Sequence, residues 1–295
     1  MLCVVLATCM AVTAIAGCGK KKEEPKQEVK KEEVKKEEPV EEPVDTHEGQ
    51  AKSYLSGQWI DENQAKKRPL AIMIGNTSDA LPQYGISSAD IIYEVPVEGA
   101  YTRLMAIFQD YSALDKIGSV RSCRHYFLYF AKEFDAIYAH YGQSIYAEPL
   151  LAQEDVNNLS GLDGSVGSIV FYRDANRKAP HNAFASAEGI NAGIEKKGYR
   201  TELSEDYKGH YQFAEDDQEV TLANGEDAQV VSPGYVVNKP WFVYNANDGL
   251  YYRYEFKDKQ IDGANEQQLA VKNILIQYCS WSNKDENGYL DINTT

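Results

Sequence analysis

The sequence has few cysteines and none of the spacings that usually hold zinc. Of its five cysteines, Cys3, Cys9 and Cys18 lie near the start, whereas Cys123 and Cys279 lie far apart in the rest of the chain. No Cys-x-x-Cys pair and no His-x-x-x-His pair occurs, so we predict neither a metal site nor a cofactor. Whether Cys123 and Cys279 form a disulfide is not decided by the sequence, because sequence alone does not give the geometry of the pair.

The chain is also poor in positive charge. It has 30 lysines and arginines against 45 aspartates and glutamates, which gives a net charge of −15. Because nucleic-acid binding depends mainly on basic surfaces that neutralise phosphates, this composition argues against nucleic acid as a partner. A local cluster of arginines becomes more informative, since it opposes the charge of the whole molecule.

Long apolar stretches are missing except at the start. Residues 1–17 form a short apolar run that ends in Ala16-Gly17, directly before Cys18. The run is shorter than the roughly 20 residues of a spanning helix and is typical of a signal peptide. Small residues before a cysteine are typical of the bacterial lipoprotein cleavage box. We therefore predict that residues 1–17 are removed and that lipid on Cys18 anchors the protein at the outer, extracytoplasmic face of the cell membrane.

Residues 18–50 are predicted to be a disordered tether. They consist mainly of Lys, Glu, Pro, Val and Gln, and Pro25, Pro39 and Pro43 would interrupt a long helix. Such a segment buries too little apolar surface to offset the entropy lost on ordering. The alternative is a helix that binds a partner.

The pattern from 51 to 205 predicts an N-terminal domain of α/β-like layers. Continuous apolar runs of strand type alternate there with stretches of helical spacing. The predicted strands are 69–75, 91–97, 103–109, 135–142 and 168–172, and the predicted helices are 122–133, 144–153 and 185–197.

The pattern from 206 to 295 predicts a smaller, antiparallel β domain. Short runs rich in β-branched and aromatic residues recur, and Asn247-Asp248-Gly249 is typical of a hairpin turn. Because a strand begins at Leu290, near the last residue, we expect this domain to be truncated. The fold class is therefore α+β. The predicted strands are 220–222, 230–231, 235–237, 241–244, 251–256 and 271–278.

The stretch Lys116–Phe127 carries the first candidate site. Arg121 and Arg124 flank Ser122 where a glycine-containing turn gives way to an apolar run of helical spacing. Residues three apart on a helix point the same way, and a helix start supplies N–H groups and the positive end of the helix dipole. We therefore predict that Arg121, Ser122 and Arg124 bind a carboxylate or phosphate at a helix start.

A second polar segment, 171–182, is predicted to form the opposite wall of a cleft. It is rich in cationic and amide side chains and contains a proline, which is typical of a binding loop. Its candidate ligand-binding residues are Arg173, Arg177, Lys178, His181 and Asn182.

Four residues are candidates for acid–base catalysis: His181, His140, Glu94 and Asp174. Histidines and carboxylates beside an anion site would suffice for such chemistry. The alternative is a buried ion-pair network that fixes strand order and needs the same residue types. For His140 a structural role is the favoured reading.

In the network alternative, Glu94 and Glu98 would neutralise Arg103, Arg121 or Arg124. Nucleophilic catalysis has weaker support, because no Gly-x-Ser-x-Gly motif occurs. Cys123 lies beside two arginines that could lower its pKa, but it falls on a helix face that could equally be core.

Several long motifs occur in a fixed order along the chain: RPLAIMIGN (68–76), ADIIYEVPVEGAYTRLMAIFQ (89–109), KIGSVRSCRHYF (116–127), FDAIYAHYG (134–142) and FYRDANRKAPHN (171–182). Together with the β-rich region from about 218, they resemble the YerB family of bacterial lipoproteins. The resemblance implies a two-domain envelope lipoprotein of unknown function. The family's usual pattern carries an acid at the position of Gly75 and small residues or Pro at those of Cys123 and His125. An acid at Gly75 is therefore not essential here, and Cys123 is a poor candidate nucleophile.

Three functions are compatible with these patterns. The first is a membrane-anchored binding protein whose cleft holds an anionic cell-wall fragment or the anionic tail of an envelope protein, and so modulates cell-wall synthesis or turnover. The second is a cell-envelope hydrolase or transferase that uses His181 and His140 with Glu94 or Asp174. The third is a structural interaction module that uses the tyrosine-rich β region. Whether the chain is an enzyme stays open.

Overall fold

The computed structural model describes residues 47–218, 220, 222 and 224–294. The predicted signal peptide, Cys18 and most of the predicted tether lie outside these residues. In the described part of the chain, no helix is long and apolar enough to cross a membrane. Nor do three or more His, Cys, Asp or Glu side chains there come together in a way that could hold a metal ion.

The described residues up to 205 contain short and long elements of both types. The strands are β1 (Gln50–Lys52), β2 (Trp59–Asp61), β3 (Leu70–Asn76), β4 (Ile91–Pro96), β5 (Thr102–Phe108), β6 (Ile117–Gly118), β7 (Ile137–His140), β8 (Asn158–Ser160), β9 (Phe171–Arg173) and β10 (Ala183–Ala185). The α-helices are α1 (Glu62–Ala65), α2 (His125–Glu133), α3 (Glu148–Leu151), α4 (Gly167–Val170) and α5 (Ala187–Lys197). Single 3₁₀ turns lie at Ser78–Ala80, Ile86–Ser88 and Glu98–Ala100.

Beyond residue 205 the described residues form strands without an α-helix. They are β11 (Val230–Val231), β12 (Trp241–Asn245), β13 (Leu250–Glu255), β14 (Asp258–Lys259), β15 (Ala270–Val271), β16 (Trp281–Asn283) and β17 (Leu290–Ile292).

A five-stranded sheet of order β4-β5-β3-β7-β8 organises the N-terminal region. Strand β3 is antiparallel to β5 and parallel to β7. Every residue of β3 and β5 is buried, because both runs are almost wholly apolar and both faces of the sheet are covered. Met73 packs in one apolar cluster with Phe127 of α2, and Ile72 packs in the other with Ile190 of α5. Because successive side chains of a strand point to opposite faces of the sheet, β3 contributes to both apolar clusters.

The predictions for the centre of this sheet are confirmed. Strand β3 forms where the apolar run predicted it, and β4 and β5 form the predicted hairpin. Strand β7 lies within the predicted strand 135–142. Helix α5 ends at Gly198, whose φ of 65° gives the left-handed C-cap that glycine adopts without steric cost.

The predicted helix start at Ser122 is wrong, because α2 begins at His125. Arg124 precedes it with an extended backbone and makes no side-chain capping bond. The chain before it is held in extended form by its neighbours: Arg121 N donates to Met73 O at 3.0 Å, and Cys123 N donates to Gly142 O at 2.9 Å. Backbone pairing beside β3 therefore overrides the local helical spacing.

Four other predicted elements change length or type. The predicted strand 168–172 is divided between α4 and β9, and the predicted helix 144–153 shrinks to α3. The predicted strand 235–237 does not form, and only Val271 of the predicted strand 271–278 lies in a strand. Leu275 and Tyr278 are 77% and 94% exposed, so this alternating run lacks a neighbouring strand to pair with. Predicted strand 220–222 lies partly outside the described residues.

The C-terminal β region forms an antiparallel sheet of order β11-β12-β13-β14, with β15 also paired to β13. The predicted turn at Asn247-Asp248-Gly249 joins β12 to β13. The fold is α+β with a β-rich C-terminal region, as predicted. All described residues belong to one compact unit, and the predicted boundary between residues 205 and 206 stays a prediction. Gln50 is already part of β1, so regular structure begins within the predicted tether.

Candidate anion-binding site

The end of β3 brings the two predicted polar segments together. Gly75 N donates to Ser119 O at 2.8 Å, and Val120 N donates to Ala183 O at 2.7 Å. The stretch 119–121 therefore runs between the end of β3 and the start of β10. This position places the Arg121 side chain beside the loop that precedes β10.

Arg121 links the two predicted walls directly. Its Nη1 donates to the carbonyl oxygen of Pro180 at 2.8 Å. Among the described residues, no carboxylate forms an ion pair with Arg121. Partial burial lowers the pKa of Arg121, and the neighbouring Arg124 and Arg173 lower it further. A half-buried cation surrounded by cations is a site where an anion gains affinity.

Buried polar atoms without partners occur in the segments around this arginine. A Cβ atom at Gly75 would lie 3.0 Å from Arg121 Cγ and 3.2 Å from Ser119 Oγ, so Arg121 and Ser119 pack closely against the glycine. Ser119 is fully buried. Its Oγ, Thr77 Oγ1 and His181 Nδ1 are buried and have no hydrogen-bond partner among the described residues. Each such group costs about 1–3 kcal/mol if nothing satisfies it. We call Gly75, Thr77, Ser119, Arg121 and His181 the arginine site.

His181 is the histidine that the structure brings to this site. Burial, Arg121 and Arg177 lower the pKa of its ring, whereas Asp79 opposes the shift. The ring is therefore neutral at neutral pH and has one nitrogen available to donate or accept.

The side chains of the loop 171–182 differ in their partners. Arg173 donates to Asn182 Oδ1 at 2.7 Å and lies 4.3 Å from the centre of the Tyr141 ring. Arg177 instead donates to the carbonyl oxygens of three consecutive residues, 80–82, which ties the loop to the turn after β3. Asp174 pairs with Lys116 at 2.6 Å. Lys178 is exposed.

Arg124 and Ser122 are engaged inside the protein. Arg124 binds both carboxylate oxygens of Glu98, at 2.6 and 2.7 Å. Ser122 Oγ donates to Tyr141 O at 3.2 Å, and Arg103 donates to Ser122 O. Burial and the nearby arginines, Arg124 first, lower the pKa of Arg103 to about 10. For Arg103, Ser122 and Arg124, the ion-pair network therefore describes the geometry better than a wall that binds a ligand.

Two of the acid–base candidates lie away from the arginine site. His140 is fully buried, and both of its ring nitrogens have partners, Gly142 O at 2.8 Å and Asn158 Oδ1 at 3.3 Å. Burial lowers the pKa of His140, so its geometry is that of a structural histidine. Glu94 lies 2.8 Å from Arg253, in the C-terminal region.

The cysteines offer no nucleophile at this site. Cys123 and Cys279 are both free thiols. Burial raises the pKa of the Cys123 thiol to about 12. A thiol with so high a pKa carries almost no thiolate at neutral pH and is unreactive.

Comparison with known proteins shows the family. The model described as "Protein of unknown function (DUF3048) N-terminal domain" matches residues 55–200, and that of the corresponding C-terminal domain matches residues 229–295. The chain belongs to the DUF3048 family. It is 31% identical over 251 residues to the candidate lipoprotein YerB of Bacillus subtilis (strain 168), which covers 82% of this chain and 71% of that protein.

A solved structure supports the same relationship. The crystal structure of YerB protein from Bacillus subtilis matches with a TM-score of 0.69 and 30% identity, over 82% of this chain and 80% of that chain. The resemblance inferred from the sequence motifs is thereby confirmed, and the DUF3048 fold is common to both proteins.

In this DUF3048 chain, sequence reasoning missed the floor of the arginine site. Thr77 follows β3 directly and Gly75 lies near the end of that strand, and a polar residue at a strand end is a usable signal for a site. Ser119 carries no such signal, because its burial arises only when residues 119–121 pair beside β3.

Proposed function

We propose that this DUF3048 chain is a lipid-anchored protein of the extracytoplasmic membrane face that binds an anionic cell-envelope ligand at the arginine site. Two facts support the anchor: Cys18 follows an apolar run with small residues, and a relative at 31% identity is named as a candidate lipoprotein. The role we propose for such binding is to modulate cell-wall synthesis or turnover.

One observation carries the binding proposal. Among the described residues, the Arg121 side chain makes one hydrogen bond, to Pro180 O, while it lies beside Ser119 and His181, whose buried Oγ and Nδ1 have no partner there. Those atoms are covered in this structure. A ligand would therefore displace the guanidinium from Pro180 O and place an anionic oxygen against the guanidinium fork and the Ser119 hydroxyl. A carboxylate or a phosphate fits this chemistry, because both accept two parallel N–H bonds from arginine.

Titration calorimetry with the full chain tests the proposal. The probes are acetate, inorganic phosphate and purified muropeptides, and the variants are Arg121→Ala and Ser119→Ala. Arg200→Ala is the matched control, because it removes the same charge from a half-exposed arginine that pairs with Asp135. We expect Arg121→Ala to weaken binding of the best probe at least about tenfold, the loss of one charge-assisted contact. Unchanged affinity in a folded Arg121→Ala protein would reject the binding proposal.

Acid–base chemistry by His181 is the second candidate function. The observation that favours it is a neutral ring with an unpartnered Nδ1 next to a cation, which is an arrangement that a general base needs. Labelled wall fragments incubated with the wild type and with His181→Gln distinguish the two functions. Cleavage that depends on His181 supports an enzyme, and binding without any cleavage rejects it.

A further inference from the structure

A buried cluster joins the C-terminal sheet to the central sheet, and its charges do not balance. Arg253 of β13 lies with Nη2 2.8 Å from Glu94 Oε2 and with Nη1 3.3 Å from Glu255 Oε2. Arg253 and Glu255 are 3% and 1% exposed. One buried cation thus faces two carboxyl groups, and an unbalanced charge is expensive in such surroundings.

The carboxyl groups of Glu94 and Glu255 accept different numbers of hydrogen bonds from the protein. Glu94 accepts hydrogen bonds from Thr102 Oγ1 at 2.7 Å, Asn238 Nδ2 at 2.8 Å and Asn76 Nδ2 at 3.2 Å, in addition to Arg253. Glu94 therefore faces donors from four different side chains. Besides Arg253, the described residues give Glu255 one long bond, from Asn238 Nδ2 at 3.4 Å.

Two acceptor atoms in this cluster lack a donor among the described residues. Glu255 Oε1 and Asn238 Oδ1 are both buried without a partner, and they belong to side chains that already touch through Glu255 Oε2 and Asn238 Nδ2. A single proton on Glu255 Oε1 would turn one acceptor into a donor for the other. The same proton would leave one cation facing one anion.

We infer that Glu255 is protonated in the folded protein and donates to Asn238 Oδ1, so that the contact between the C-terminal sheet and the central sheet is linked to pH. The charged groups that face Glu255 are Arg253 from its own strand and Glu94 from β4. Tyr235, from the segment before β12, donates to Glu94 O on the far side of that carboxylate. Burial first, and then Glu94, raise the pKa of Glu255, while Arg253 opposes them.

The cluster also reaches the arginine site. Arg253 Nη1 donates to Gln260 Oε1. Gln260 Nε2 donates to Gln83 Oε1 at 3.0 Å, and Gln83 Nε2 donates in turn to Gly75 O and Asn76 Oδ1, both at 3.1 Å. Gly75 forms the floor against which Arg121 packs. We therefore expect deprotonation of Glu255 to loosen that floor and weaken anion binding, a consequence that rests on the proposed function.

The direct test is the pH dependence of unfolding, which needs no ligand. In the unfolded chain Glu255 ionises near its ordinary pKa of 4.5, whereas the folded protein keeps the proton. Stability contributed by this group is thus complete below pH 4.5 and is lost as pH rises towards the raised folded pKa. We compare the folding equilibrium constant of Glu255→Gln with that of the wild type. The ratio of the variant's constant to that of the wild type should rise with pH above 4.5, by up to about tenfold per pH unit for one proton.

Glu94→Gln is the matched control, since it changes the other carboxyl group facing the same arginine. It leaves one of the donors that face Glu94 without an acceptor, so we expect it to destabilise the protein at neutral pH, while Glu255→Gln stays folded and is at least as stable as the wild type at neutral pH. A Glu255→Gln protein that is less stable than the wild type by a constant factor, or that does not fold, would overturn the inference.

A second measurement does not depend on any variant folding. The infrared spectrum of the wild type at neutral pH should contain the carbonyl band of a protonated carboxylic acid, and absence of this band would also overturn the inference. Failure of anion binding at all pH values would reject the proposed function only, because both of these measurements are made without ligand.

Discussion

Arg121 Nη1 and the carbonyl oxygen of Pro180 lie 2.8 Å apart, although the two residues are 59 positions apart in the chain. This bond closes the two polar segments onto each other above Gly75 and Ser119. It is a single bond to a neutral acceptor, and no carboxylate in the described part of the chain competes for Arg121. Because this bond is weaker than an ion pair, it is the contact that an anion would replace.

Gly75→Ala should weaken anion binding by displacing Arg121. Its new Cβ would lie 3.0 Å from Arg121 Cγ and 3.1 Å from Ala80 Cβ, so the arginine must move. Because overpacking of this kind costs about 1 kcal/mol or more, we expect a small loss of stability with a larger loss of affinity for acetate or phosphate. Calorimetry and urea unfolding measure the two effects.

Gly164→Ala is the control for that substitution. A Cβ at Gly164 would meet no atom within 4 Å, so both affinity and stability should stay close to the wild type. If Gly75→Ala bound anions like the Gly164→Ala protein, the packing of Arg121 against Gly75 would have no part in binding.

Arg124→Ala should mainly reduce stability. It removes the cation that holds both oxygens of Glu98, and breaking a largely buried pair costs about 3 kcal/mol, less whatever is regained when Arg103 loses a repulsive neighbour. Urea unfolding at neutral pH measures the change. Lys132→Ala, which breaks an exposed pair with Asp155, should leave the midpoint almost unchanged. Equal, small effects of both substitutions would contradict the buried-pair assignment.

Anion affinity should rise as pH falls towards the lowered pKa of His181. The ring of His181 is kept neutral by burial and Arg121, and a bound anion would favour its protonated form, so binding takes up a proton. Without ligand, the same lowered pKa makes folding less favourable as pH falls through 6.5, because the unfolded ring becomes charged first. Calorimetric titrations at a series of pH values measure the affinity.

His181→Gln is expected to remove both effects, since an amide does not titrate. An affinity that varies with pH equally in the wild type and in His181→Gln would assign the dependence to another group.

Cys123 should resist thiol reagents in the folded protein. Its thiol is fully buried, and burial raises its pKa to about 12, whereas Cys279 is only partly buried. Alkylation followed by mass spectrometry should find label on Cys279 first and on Cys123 only after unfolding. Rapid labelling of Cys123 under native conditions would show that its surroundings open.

Local patterns predicted the elements that packing reinforces. The apolar run at 69–75, the hairpin around Gly99 and the helix ended by Gly198 were all predicted, because their residues have a pattern that suits only one environment. Helix α2 was predicted too early, since backbone pairing of Arg121 with Met73 lies outside any local window. The alternating run 271–278 was predicted as a strand, but a strand needs a neighbour that a single segment does not specify.

The candidate site was predicted in part for the same reason. Arg121, Arg173, His181 and Asn182 come together as expected, while Arg124 and Arg177 are held by partners elsewhere in the protein. Local chemistry shows which side chains can bind an anion. It does not show which of them the fold has already neutralised.

The sequence by itself determined the α+β class, the buried centre of the main sheet and the family, because apolar periodicity and long ordered motifs are properties of the chain alone. Only the tertiary structure decided which cations stay without a carboxylate. Arg121 and Arg124 are three positions apart and chemically identical, yet Arg124 has Glu98 within 2.7 Å, whereas the Arg121 side chain has Pro180 O as its one hydrogen-bond partner among the described residues. That difference arises from long-range contacts, since the partners of both arginines come from segments brought close by packing.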